Sequence, residues 1–270
     1  MFFSRRYLVV NNKPIQLLAD NPLFELQKTV YSSKNYTRRN LHQSRLTWVV
    51  NAIKQYCAKN YSSKAIEYGP GSGIYLPFLI NHFDMVIAAD VEMAYLSGIQ
   101  ATVKYASNLK LEVDNIQDSM LSSKSYDLVL CSEVLEHVSS PDKALSNLYR
   151  ILTPGGIAII TTPQRYSLME LFCRLAFLPG VIDFVRFVYQ EPILESGHIS
   201  LKTYAELNAM INQVGFEVID HDKFGLYIPI VAEFGGEFGG RLIEFLGKFL
   251  HKTPLNWMLW TQAYVLRKPL

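Results

Sequence analysis

Residues 65–73 read Ala65-Ile66-Glu67-Tyr68-Gly69-Pro70-Gly71-Ser72-Gly73, a short run of strand-forming residues that ends in alternate glycines. Glycines at this spacing let the backbone turn sharply and bring amide groups close to a ligand above the strand end. A dinucleotide fingerprint would read GxGxxG, and the further glycine it needs beyond Gly71 and Gly73 is missing. The acidic Glu67 suits a ligand carrying a cationic group better than it suits a phosphate.

Outward from this loop, helical and extended patterns alternate. Upstream, Leu46, Val49, Val50, Ile53 and Tyr56 repeat at helical spacing, so about 40–58 is read as a helix with one buried stripe. Downstream, Ile74 to His82 reads as helix, Met85 to Asp90 as strand, Glu92 to Tyr105 as helix and Leu109 to Val113 as strand. Asp127 to Cys131 is a fourth strand, and Pro141 opens a helix that carries Ala144, Leu145, Leu148 and Ile151. Pro154-Gly155-Gly156 is read as a turn into a fifth strand, Ile157 to Thr161; a helix from Lys202 to Val214 precedes a sixth, Phe216 to Ile219. Gln262 to Leu266 reads as the last strand. Such alternation predicts βαβ units and a parallel sheet, an α/β fold.

The glycine loop resembles the first motif, ExGxGxG, of the class I S-adenosylmethionine-dependent methyltransferases, matched at Glu67, Gly69, Gly71 and Gly73. The resemblance extends to Asp90 after the second strand, Asp114-Asn115 after the third, SYDLVLCSEVLEHV at 125–138 and LTPGGIAIITTP at 152–163. Taken singly, Asp90 or Asp114 reads equally well as a helix cap and Gly155-Gly156 as a C-cap; their joint spacing favours the family. The resemblance implies a Rossmann-like, doubly wound seven-stranded sheet with an antiparallel last strand, and S-adenosylmethionine as cofactor. It further implies Asp90 on the ribose hydroxyls, Asp114 and Asn115 beside the adenine, Val91 and Ile116 against its ring, and Cys131 among the converging strand ends.

Methyl transfer from a sulfonium is an in-line displacement, so a protein must align the acceptor and, for oxygen or nitrogen, remove a proton. Glu133, Glu136 and His137 fall together if their segment is a helical turn. This ExxEH pattern is similar to that of the ubiquinone-biosynthesis O-methyltransferases, where it is tied to metal dependence, and His198 falls where that group has a histidine entering the cleft. Two chemical readings stand side by side: His137 as a base with Glu133 and His198 assisting, or Glu133, Glu136 and His137 as cation ligands. The first is preferred and no metal is expected; the purely structural alternative has His137 and His198 packing and capping. Arg38 or Arg39, just before the first helix, is an expected partner for the methionine carboxylate, because that region folds over the cofactor in relatives.

The whole chain has 270 residues, 49% hydrophobic and 19% charged, and a mean hydropathy of +0.09, which excludes wholesale disorder, a disulfide knot and a coiled-coil rod. Cys57, Cys131 and Cys173 are odd in number and widely spaced, as fits a reducing compartment. No run reaches the roughly 18 apolar residues that cross a bilayer, and the N-terminus lacks a signal-peptide pattern. A cytoplasmic protein is expected, with peripheral attachment at the inner face of a membrane left open. Residues 1–64 carry a balance of +9 and the remainder −7, so the leader can meet an anionic partner or its own body.

The organisation expected is a basic helical N-terminal cap over 1–59 and a catalytic domain over 60–270, with hydrophobic insertions at about 165–195 and 225–260. The first insertion, with Leu168, Leu171, Phe172, Phe184, Phe187 and Tyr189, is read as a lid. In the second, Leu242, Ile243, Phe245, Leu246, Phe249 and Leu250 are read as one apolar helix face. That face can pack on the core, seal a homodimer or meet a membrane surface. The acceptor implied is a hydrophobic small molecule such as a quinol, lipid or polyketide-like aromatic. Nucleic acid is not expected, since Cys131-Ser132-Glu133-Val134 replaces the [DNS]PP[YFW] signature. The rival is a catalytically silent, cofactor- or partner-binding paralogue.

Overall fold

The structure is a computed structural model and describes residues 8–10, 13–15, 31–57, 63–102, 106–178, 180 and 197–270. A ribbon of β1 (Leu8–Val10) and antiparallel β2 (Lys13–Ile15) precedes α1 (Tyr36–Tyr56). The ribbon departs from the wholly helical cap expected over 1–59. Val9, Val10 and Ile15 are β-branched and Pro14 lacks an amide hydrogen, so this stretch favours extended chain.

The body alternates β3 (Lys64–Tyr68), α2 (Leu76–His82), β4 (Met85–Asp90), α3 (Met93–Thr102), β5 (Leu109–Val113), β6 (Tyr126–Ser132), α4 (Pro141–Ile151) and β7 (Leu152–Pro163). Then come α5 (Leu168–Ala176), α6 (Tyr204–Val214), β8 (Glu217–Phe224), α7 (Pro229–Phe234), α8 (Gly236–His251) and β9 (Thr261–Arg267). The sheet has seven strands in the order β5-β4-β3-β6-β7-β9-β8. All pairs through β7 are parallel, and β9 is antiparallel to both β7 and β8. The chain winds outward from β3 to β5 and returns to place β6 on the other side of β3. Strand order therefore reverses at β3, and a crevice opens above the carboxyl ends there.

Both faces of β3 are covered, so its residues after Lys64 are all buried. Ile66 and Tyr68 join Leu145, Leu148, Leu207 and Ile211 of α4 and α6 on one side of the sheet. Ala65 joins Val49, Ile53, Leu76 and Leu79 of α1 and α2 on the other. α6 is closed by a capping box between Thr203 and Glu206 and stopped by Gly215 at φ +97°.

Two strands differ from their sequence reading. Pro154-Gly155-Gly156 is part of β7, which starts at Leu152. The register against β6 shifts between Tyr126 and Leu128, and Gly155 takes φ +79°, so the glycines make an irregularity within the strand. β8 runs on through His221, Asp222 and Lys223 to Phe224. It is an edge strand paired only with β9, where polar side chains reach water.

Most of the expected lid, including Phe184, Phe187 and Tyr189, lies outside the described residues. The second insertion is α7, α8 and a 3₁₀ turn at Pro254–Met258. A Cβ at Gly240 would overlap the Tyr36 ring of α1, so the two helices approach closely at that glycine. α8 is apolar on two sides: Gly239, Gly240 and Ile243 are buried, whereas Phe238, Phe245 and Phe249 are exposed. The single apolar face read from the sequence is thus split, Ile243, Leu246 and Leu250 packing inward and Leu242, Phe245 and Phe249 facing out.

Candidate active site

A cleft of about 540 Å³ opens above the ends of β3 to β6, lined by Gly69, Gly71, Asp90, Val91, Asp114, Asn115, Ile116, Glu133 and His137 among others. Gly69, Gly71 and Gly73 take φ of +63°, +52° and +73°, backbone that side chains rarely adopt. The loop is tied down by Gly69 N donating to Ala89 O (2.9 Å) and Gly73 N to Pro70 O (2.7 Å). A Cβ at Gly69 would overlap Val134.

Three residues expected at the cleft are placed elsewhere. Cys131 is fully buried and packs in the core beside α4; its thiol pKa is pushed up by that burial and by the nearby Glu136 and Glu133 carboxylates. Alternation along β6 turns this side chain into the sheet core. Glu67 is buried beneath the loop, with Oε2 lacking a hydrogen-bond partner, and burial pushes its carboxyl well above the usual range. Gly73 turns inward, where a Cβ would come 3.0 Å from Leu76 Cδ1.

On the far wall, Asp90 accepts from Glu92 N (2.9 Å), and burial raises its pKa. Val91 is 58% exposed beside it, whereas Ile116 is buried. Asp114 lines the cleft yet spends both oxygens on its own loop: Oδ2 accepts from Tyr68 OH (2.8 Å) and Oδ1 from Met120 N (3.1 Å). Exposed Asn115 forms an Asx turn with Gln117 N (3.0 Å).

The acidic segment after β6 does not form the helical turn that would align its side chains. Glu133 sits at φ +58° and only Leu135–His137 makes a 3₁₀ turn. Glu133 Oε2 lies 2.7 Å from Arg45 Nη1, and Oε1 accepts from Thr161 Oγ1 (3.0 Å). Ion-paired in this way, it cannot serve as a free base. Glu136 is buried, accepts from Thr162 Oγ1 (3.0 Å), and leaves Oε1 without a hydrogen bond, 4.0 Å from His137 Nε2. Burial, and then the Glu133 charge, raise its pKa. Among the described residues, the acidic and imidazole atoms that gather within 4.8 Å belong to Glu136, His137 and His198, replacing the expected set with Glu133.

His137 is exposed, and its Nδ1 lies 3.1 Å from Gly197 O. A carbonyl only accepts, so the neutral ring carries its proton on Nδ1 and keeps a lone pair on Nε2. Partial burial lowers its pKa. The His198 ring stands 5.2 Å away, and His198 Nδ1 lies 3.2 Å from Glu170 Oε1 without aligning as a hydrogen bond. Glu170, the buried residue of α5, also accepts from Trp260 Nε1 (3.1 Å).

Sequence reasoning missed Arg45, Glu170, Thr161, Thr162 and Trp260. Arg45 left a signal: it stands four residues from both Leu41 and Val49 in α1's buried stripe, a cation where an apolar residue belongs. Burial disfavours its charge most strongly, but the Glu133 carboxylate, together with Tyr75 and Tyr31, outweighs it, so its pKa is raised. His42, whose Nδ1 accepts from Arg45 Nη2 (3.0 Å), is pushed down to about 3 by burial and then by that cation. Arg38 and Arg39 are engaged away from the cleft, on Glu233 (3.0 Å) and Ser33 O (2.5 Å).

Residues 41–221 match the profile of a family described as a methyltransferase domain. A ubiquinone biosynthesis O-methyltransferase of Rickettsia prowazekii is 29% identical over 160 residues, 55% of this chain and 62% of that protein, so the match spans less than two thirds of the relative. The structure of an S-adenosylmethionine-dependent methyltransferase from Mesorhizobium loti superposes with a TM-score of 0.55 at 13% identity, covering 80% of this chain and 96% of that one. The [4+2]-cyclase SpnF superposes at 0.56 with 15% identity, covering 84% and 80%; at such identities the likeness concerns the fold alone. With the family profile spanning most of the chain over this strand order and glycine loop, the protein belongs to the methyltransferase-domain family, of the type that uses S-adenosylmethionine.

Proposed function

We propose that this chain transfers a methyl group from S-adenosylmethionine to an oxygen or carbon atom of a hydrophobic small molecule such as a quinol, a lipid or a polyketide-like aromatic. The observation that carries the reading is that Asp90 and His137, a ribose-type carboxylate and a neutral imidazole, line one cleft over a left-handed glycine loop. The residues present fit the cofactor. Gly69 and Gly71 bring backbone close, Asp90 offers a carboxylate to vicinal hydroxyls, and Val91 with Ile116 gives an apolar seat for a ring. Asp114 enters this reading as the residue that shapes the adenine side, with Asn115 as the exposed polar contact.

Bound there, the cofactor supplies an electrophilic methyl on a sulfonium, open to in-line displacement. For an oxygen acceptor, His137 Nε2 takes the proton while Gly197 O holds Nδ1–H, so the ring accepts without turning. His198 stands behind His137. Glu133 keeps Arg45 neutralised beside the cleft. The oxygen acceptor draws support from the O-methyltransferase relative. In this reading residues 1–59 are the cap, 60–270 the catalytic domain and the insertions its acceptor side. Among the described residues no helix is long and apolar enough to cross a membrane, and we place the protein in the cytoplasm.

Calorimetry with S-adenosylmethionine, followed by label transfer from methyl-labelled cofactor into a hydrophobic quinol and lipid extract, tests this. Binding with label in an organic-soluble product is expected. Binding with no transfer across varied acceptors would favour the silent paralogue, and a preference for a nicotinamide or flavin cofactor would overturn the assignment.

A further inference from the structure

α8 buries one side against α1 and the second insertion's own core, and it turns a second apolar side to solvent. Phe238 is 82%, Leu242 43%, Phe245 66% and Phe249 62% exposed. At about 100° per residue these four side chains fall within an arc of about 60°. Arg241, Lys248 and Lys252 flank one edge of the arc, and Arg241 and Lys248 are 70% and 75% exposed. The acids Glu237 and Glu244 lie further round, ion-paired with Arg241 (2.7 Å) and Lys248 (2.6 Å). Phe245 and Phe249 also line a groove of about 650 Å³ between α8 and α1, which shares none of its lining with the cofactor cleft.

From these observations we propose that α8 is a membrane-surface helix, seating its phenylalanine stripe in the headgroup region of an anionic bilayer. The placement of charge selects the partner. The cations stand nearest the aromatic arc, and the acids that pair with Arg241 and Lys248 lie on their far side, as suits anionic headgroups above an apolar layer. Area argues against a second copy as the occupant. Allowing roughly 200 Å² for each large side chain, the exposed stripe amounts to about 500 Å², below the roughly 800 Å² per partner of a stable interface. The inference stands on the surface of the insertion and holds whether or not methyl transfer is the activity.

The test is flotation of the full chain with vesicles of phosphatidylcholine alone and of phosphatidylcholine mixed with phosphatidylglycerol. The wild type is expected to float with the anionic vesicles, less so as salt rises. A Phe245→Ser/Phe249→Ser variant should lose binding at least tenfold, and Arg241→Gln/Lys248→Gln should lose it severalfold on anionic vesicles only. Both variants alter exposed side chains and should keep the wild-type circular dichroism and melting temperature. Wild-type protein that floats with neither vesicle, or a phenylalanine variant that floats like wild type, would overturn the proposal. So would light scattering that shows a dimer which the phenylalanine variant dissociates.

Discussion

The floor and the roof of the cleft are built on different principles. The floor comes from the ends of three neighbouring parallel strands: backbone at Gly69 and Gly71, then the side chains of Asp90 and Val91, then those of Asn115 and Ile116. The roof is Glu133 and His137 with the side chains packed behind them from far-separated segments: His42 and Arg45 on α1, Glu170 on α5, His198, and Trp260 before β9. The floor is polar through peptide groups whose partners lie nearby. The roof places charges where water does not reach, so each depends on a partner brought by the tertiary fold. Under the proposed function, cofactor recognition then rests on local geometry, and the environment of the chemistry rests on long-range packing.

The sharpest way to break that contrast is at Arg45. Arg45→Met leaves Glu133 half-enclosed and unpaired, and should cost about 3–5 kcal/mol by urea denaturation, most of it restored by adding Glu133→Gln. A cost no larger than that of a surface substitution would mean the roof is not held by charge pairing. Next, His137→Gln should lower kcat by roughly 10²–10⁴ with the affinity for S-adenosylmethionine unchanged. Burial holds the His137 pKa below its usual 6.5, so the ring is neutral and basic at pH 7. Activity of the wild type should therefore fall only as pH drops below the ordinary imidazole range, and this acid limb should vanish in the variant.

On the floor, Asp90→Ala should weaken cofactor binding by about 1–3 kcal/mol in calorimetry. An analogue lacking the ribose hydroxyls should bind wild type and variant alike; unequal binding would refute the assigned contact. The smallest effect is expected at Cys131, which lies under the floor and out of the cleft. Cys131→Ala should leave cofactor affinity intact while lowering stability by about 1 kcal/mol.

The same contrast explains what was legible in the sequence. The β3 loop, the place of Asp90 at the end of β4 and the strand order could be read because periodicity and turn chemistry act over a few residues. Glu133 misled, because ExxEH at helical spacing promises one face, whereas the φ of +58° turns this carboxylate to Arg45 and Thr161 at the edge of the cleft. Cys131 misled because a strand end points alternately into the cleft and into the core. Glu170 could not have been read at all. As a glutamate in the first turn of a helix it looks like an ordinary dipole partner, and only Trp260 and His198 give it meaning. The α8 face was half legible: its amphipathicity showed, but Gly240, against Tyr36, lets the helix pack close to α1 on one side while its phenylalanines stay out on another.

In β8 and β9, Phe224 stands directly opposite Thr261. Residues 225–260 therefore leave and re-enter the sheet at a single rung, like a long hairpin loop pinned at its base. Lengthening such a loop costs little, since closure entropy grows only logarithmically with its size. The second insertion is accordingly a cassette: transplanting a different segment between those two residues would exchange the outer equipment of the enzyme, with its contacts to α1 and to Glu170, while the strand ends that form the floor lie outside it.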